Sequence, residues 1–178
     1  MADTPAVLGT EGSMLEGLFR ALPPDPPLVA ALARIGIDVK RLQPKYQSTQ
    51  WRQALELFRA HLYPDLPVAL GDQKVGFEFG RGFQDTIGGK MVLAALPMLT
   101  PMSLLMRWPR FVKLGRSDMT FVATKTGERS VTLQTSDPAG VPMSFSIGLF
   151  EFVFGRMKAQ VSMRGEESPS GFTLYLDW

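Results

Sequence analysis

The segment that most constrains the fold is Met143 to Met157, which is apolar on more than one face and carries only two charges, Glu151 and Arg156. At helical spacing, Ile147, Phe150, Phe154 and Met157 fall on one side, and Phe145, Leu149, Phe152 and Val153 on the other. A helix with apolar residues on opposite sides needs a cover on each. The flanking sequence supplies one of them. Met119, Phe121 and Ala123 alternate along one strand, Val131 and Leu133 mark a second, and Gly127 falls in the loop between. Beyond the helix, Ala159, Val161 and Met163 alternate with Lys158, Gln160, Ser162 and Arg164. A Gly/Glu/Ser/Pro turn follows, and then Phe172, Leu174 and Leu176 alternate with Thr173, Tyr175 and Asp177. The pattern predicts hairpin, helix, hairpin, with a mostly antiparallel sheet of about four strands.

The second cover must come from the N-terminal part, which reads as helical. Residues 1–12 show little periodicity and are expected to form a flexible arm or a short edge strand. A short helix is expected over Ser13–Leu22, with Ser13 and Glu16 as a capping box and Pro23-Pro24 as its stop. A second opens at Pro26-Pro27, runs through Ile35 and closes at Gly36. From Ser48 to His61 the spacing of Trp51, Leu55, Phe58 and Leu62 predicts an amphipathic helix. The helix after Pro67 carries Gly71, Gly76, Gly80 and Gly82, which implies close backbone approach to a neighbour or a break near Gly80 to Gly82. Thr86 is expected to cap the next helix through Leu96, and Thr100-Pro101 to start another that Pro109 kinks or divides and Gly115 ends. The fold class expected is α+β in one domain over residues 1–178, mostly helical across 13–115 and strand-strand-helix-strand-strand across 118–178.

Residue types narrow the chemistry. With no cysteine, disulfides, thiol catalysis and thiolate metal sites are excluded. His61 is the only histidine, so triads and His-pair metal sites are excluded too; its place near a helix C-terminus suits the macrodipole. No Gly-x-Ser-x-Gly elbow occurs, and Gly80-Arg81-Gly82 lacks the strand and the Lys-Ser/Thr ending of a phosphate loop. Glu78, Asp85 and Glu151 are the carboxylates best placed to be perturbed, while Glu166-Glu167 is expected in a solvated turn. A net charge of +2 does not argue for nucleic acid. Its distribution is uneven, because Lys90, Arg107, Arg110, Lys113 and Arg116 lie in a stretch free of acids between Asp85 and Asp118. The last four would draw a stripe along a helix, able to meet an anionic partner. No apolar run reaches the ~18 residues of a membrane span and no signal pattern opens the chain, so a cytoplasmic protein without a transmembrane segment is expected.

Tyr63-Pro64, Phe83-Gln84-Asp85-Thr86 with Gly88, and the closing Leu174-Tyr175-Leu176-Asp177-Trp178 resemble a paralogous family of unknown function expanded in myxobacteria. That resemblance spans nearly the whole length and implies a small cytoplasmic single-domain protein with no catalytic residue to carry over. A more distant likeness is to the group that joins haem–nitric-oxide-binding, 4-vinyl-reductase-type and TRAPP-like domains. It is carried by the helix with Gly148 and Gly155, followed by Lys158 to Arg164 and Phe172 to Trp178. The group places apolar ligands or partners between helices and sheet. The chain departs from the haem branch by having no histidine between Gly71 and Trp178, and from the Cys-bearing branch by having no cysteine, so neither haem nor metal is implied and no cofactor is expected.

Met91, Met98, Met102 and Met106 cluster beside Gly88, Gly89, Ala94 and Ala95, and thioethers adapt to irregular apolar shapes. The function expected is therefore non-catalytic. It is a signalling module that binds a hydrophobic or amphipathic small molecule between the central helix and the methionine-rich helices. Phe150, Phe154, Met91, Met98 and Met102 would line the site, with Arg107 and Arg110 for an acidic headgroup. The rival is a homodimeric interaction or scaffold module built on the glycine-lined helices or on an edge strand carrying Tyr175. An enzyme acting through Glu78, Asp85 or Glu151 alone ranks last, since no second titratable group is placed beside any of them.

Overall fold

A computed structural model describes residues 9–178, so most of the expected N-terminal arm, residues 1–8, lies outside the described residues. The remainder of that arm holds a two-residue strand. Thr10–Glu11 (β1) pairs antiparallel with Lys45–Tyr46 (β2), and Thr10 also bridges to Arg116. Because this pairing holds the chain extended up to Glu11, helix α1 starts at once, at Gly12, and runs to Ala21. The capping box expected at Ser13 is therefore absent: Ser13 lies inside the helix, and Glu16 pairs with Arg20 at 2.7 Å instead.

The other helices follow their predicted starts. Helix α2, Pro26–Arg34, is capped by Asp25, whose carboxylate accepts from Leu28 N at 3.0 Å, and Gly36 follows at φ 79°. Helix α3, Ser48–Leu62, is held by a Gln47/Gln50 capping box, and His61 in its last turn meets Asp25 at 3.0 Å. Helix α4 runs unbroken over Val68–Phe83, so its glycines mark close approach and not a break. Thr86 caps α5, Ile87–Ala95, and Thr100 caps α6, Pro101–Lys113. Pro109 does not divide α6.

The sheet has four antiparallel strands, β3 (Thr120–Gly127), β4 (Ser130–Ser136), β5 (Ser162–Ser168) and β6 (Gly171–Asp177), in the order β3-β4-β6-β5. Tyr175 on β6 therefore sits on an interior strand, where it cannot serve as the edge proposed for a dimer; β6 hydrogen-bonds to β4 on one side and β5 on the other. The second hairpin also starts later than the alternation suggests. Ser162 pairs with Asp177 and Ser168 with Gly171, so the turn is Pro169-Ser170 and Glu166-Glu167 lie on the strand. Alternation continues through residues 158–161, but among the described residues no strand pairs with them.

Helix α7, Met143–Met157, links the hairpins and is covered on both sides as expected, although Phe152 and Val153, expected on the side of Phe145, join the core of Phe150 and Phe154. Phe150, Phe152, Val153 and Phe154 join the sheet-side core with Leu133, Leu174 and Leu176, while Phe145 joins a helical core with Trp51, Phe58, Val75 and Phe79. Contact with α4 is backbone to backbone. A Cβ on Gly76 would strike the Phe145 carbonyl, and one on Gly148 the Gln73 carbonyl, so these two glycines let the helices cross without side chains between them. Gly80 and Gly82 are likewise spent within the chain, against Phe152 and Gly17, and so are not available as the glycine face of a dimer.

Candidate functional site

Two separate cores meeting along α7 leave a space at the seam. A cavity of about 150 Å³ lies there, walled from the helical side by Trp51, Phe79 and Phe145 and from the sheet side by Met119, Phe121, Phe150 and Val153. Leu104 and Trp108 of α6, with Val92, Leu93 and Leu96 from α5 and the turn after it, complete the wall. The wall is overwhelmingly apolar. An apolar cavity of about this size stays dry and can take benzene or xenon. It falls below the ~300 Å³ at which pockets for drug-sized ligands begin.

Trp108 is the unusual member of the wall. It is 7% exposed, its ring lies 4.5 Å from that of Phe150, and its indole Nε1 is buried with no hydrogen-bond partner. Buried donors normally find acceptors, because an unmade bond costs about 1–3 kcal/mol. Ser146, also buried, adds a hydroxyl-bearing residue from α7.

Arg116 borders the same space, but its charge is spent. The guanidinium donates to Asp118 through Nε at 3.0 Å and to Asp137 through Nη2 at 2.7 Å. Asp137 also accepts from the backbone of Ala139 and Val141 at the approach to α7. Burial alone would lower the guanidinium's pKa, yet the two carboxylates hold it above its ordinary value. For Asp118 burial pulls upward, and bonds from Arg116 and Ser48 outweigh it, leaving the carboxyl below the usual range. This network joins β1, the end of α6 and the entry to α7.

The expected ligand residues divide. Phe150 lines the cavity. Phe154 is buried in the sheet-side core, stacked on Phe150 at 5.8 Å, and borders a different, more polar crevice with Glu151 and Gln160. Met102 packs against the sheet-side core without reaching the cavity. Met91 and Met98 are 74% and 85% exposed, so the structure places them outside it, and Arg107 and Arg110 are exposed on α6. The reason is rotation: Ile87, Met91, Ala94 and Met98 recur at helical spacing on the outer face of this segment, while Val92 and Leu93 turn inward. Nor does Arg116 continue the stripe of α6, since it lies beyond the helix and is 2% exposed.

The acids fare similarly. Glu151 is exposed and accepts from Gln73 Nε2 at 2.7 Å; Glu78 pairs with Arg81; Asp85 is exposed. The carboxyl raised above its ordinary value is Asp72, pushed up by burial and partly relieved by Arg59 at 3.2 Å. Its signal was the shared face with Val75, Gly76 and Phe79 on α4. Among the described residues, no group of three His, Cys, Asp or Glu side chains is arranged to hold a metal. No described helix is long and apolar enough to cross a membrane.

Residues 9–178 match the family described as "Protein of unknown function (DUF2378)". No curated protein matches the chain. Several solved structures share the fold. One, from work on the molecular mechanism of H-NOX activation, superposes with a TM-score of 0.70 at 14% identity, over 96% of this chain and 95% of that one. An oxygen-binding H-NOX domain related to soluble guanylate cyclases, in its oxygen complex, gives 0.65 at 14% identity over 93% and 89%. An H-NOX protein from S. oneidensis in the Fe(II)NO ligation state gives 0.66 at 11% over 93% and 97%. The architecture of this chain is therefore that of the H-NOX fold.

Proposed function

The chain belongs to the DUF2378 family, and on that premise we propose that it is a single-domain, non-catalytic sensory module whose ligand is a small apolar molecule held between α7 and the helices that cover it. The observation that carries this reading is the cavity itself. It lies where two cores meet, it is walled almost wholly by apolar side chains, and it is bordered by the Arg116 network that ties β1 to the entry of α7. A molecule in that position touches both cores at once. Occupancy would thus stabilise their present relation, which is how a ligand shifts a conformational equilibrium.

The likeness to H-NOX proteins raises haem as an occupant, and the residues do not fit it. Haem iron is held by His, Cys, Tyr or a Met/His pair. The cavity wall contains none of the first three, and its thioethers, Met14 and Met119, have no histidine to pair with. His61 is on α3, committed to Asp25 away from the wall. At about 150 Å³ the space also suits a single small ring better than a macrocycle.

Thermal unfolding in the presence of benzene tests the reading. Ligand that binds only the folded state at about 100 times its Kd adds ~2.7 kcal/mol, so the transition should rise with benzene concentration. An unchanged transition across the soluble range would end the proposal. Haemin titration should produce no complex with axial-ligand absorption bands.

A further inference from the structure

We infer, on the reading just given, that the occupant is a neutral molecule carrying a hydrogen-bond acceptor, and that Trp108 Nε1 is the donor that meets it. Trp108 borders the cavity, is 7% exposed, and has a buried indole N–H without a partner. The other buried orphans do not share this position: Arg59 Nε faces Asp72 at 3.2 Å, and Thr135 is on β4 outside the cavity wall. An indole nitrogen can only donate, so the group that satisfies it must accept. A carbonyl, ether or ester oxygen on an otherwise apolar body would do so.

Charge narrows the class further. The single ionic side chain in the wall, Arg116, already serves Asp118 and Asp137, so an anion would have to displace either Asp137, whose side chain is fully buried, or Asp118, which holds the guanidinium at 3.0 Å. A cation would find no carboxylate in the wall at all. Burying an unpaired charge in so apolar a space is prohibitive. The occupant is therefore neutral.

Acetophenone and isopropylbenzene are suitable probes, because they share heavy-atom number and connectivity and differ in having a carbonyl oxygen in place of a methyl group. In a ¹H–¹⁵N spectrum with the three indole N–H signals assigned, acetophenone should move the Trp108 signal downfield and isopropylbenzene should not. In Trp108→Phe, affinity for acetophenone should fall about three- to tenfold relative to isopropylbenzene, the range of one net hydrogen bond. If both probes bind with the Trp108 signal indifferent to the carbonyl, the inference is overturned while the cavity reading stands. If neither binds, the cavity reading fails and takes the inference with it. Should Trp108→Phe not fold, the wild-type spectra decide alone.

Discussion

Two glycines on the same helix should respond to alanine with opposite sign, and the contrast measures how closely α7 lies on α4. A Cβ on Gly148 would sit inside the Gln73 carbonyl oxygen and within 2.8 Å of the Gln73 carbonyl carbon and 2.9 Å of Phe77 N, whereas one on Gly155 meets nothing within 4 Å. Ordinary contact begins at 3.4 Å and the Gln73 oxygen overlaps more deeply than either of those atoms, so Gly148→Ala forces the two backbones apart by about 1 Å or more, a gap at which each neighbouring contact loses about half of its attraction. Overpacking of this kind costs about 1–3 kcal/mol, and a backbone clash belongs at the upper end because neither partner can rotate away. Better helix propensity returns up to ~1 kcal/mol, so Gly148→Ala should lose about 2 kcal/mol. Gly155→Ala collects the propensity term alone and should gain up to ~1 kcal/mol. With a urea slope near 2 kcal/mol/M, the two midpoints should differ by about 1 M or more. Equal midpoints, or a stabilised Gly148→Ala, would refute the backbone contact on which the position of the cavity depends.

Arg116→Met should cost about 3–5 kcal/mol by urea unfolding, because it leaves Asp137 buried without its cation. Asp118 has a folded pKa below its unfolded value, so its contribution is present above the ordinary carboxylate pKa of ~3.9 and is lost as pH falls through the lower folded value. Asp118→Asn should accordingly flatten the stability curve at the acid end, below about pH 4, when thermal unfolding is followed against pH. Met91→Ala and Met98→Ala should leave stability within ~0.5 kcal/mol and benzene binding unchanged, since both side chains lie outside the cavity wall. Leu104→Phe, which places extra volume in that wall, should abolish benzene binding in the same titration.

Periodicity revealed the parts whose signal is local. The apolar faces of α7, the alternation of β6 and the Thr100-Pro101 start of α6 each needed only neighbours in sequence, and each is present. Pairing across distance was hidden. Nothing near Thr10 announces Tyr46, and nothing near Arg116 announces Asp137, because such partners are chosen by how the helices and sheet come together. The same limit governs the methionines. Met91 and Val92 are adjacent apolar residues, and the ~100° between them on a helix sends one outward and the other to the cavity. Trp108 was legible as a core residue of α6; that its indole nitrogen lacks an acceptor could be known only once its surroundings were in place.

A crystal of the protein held under xenon pressure offers the most direct test of the seam as a binding site. Xenon density is expected between Leu104, Trp108 and Phe150. Xenon elsewhere with none between these three side chains would contradict it.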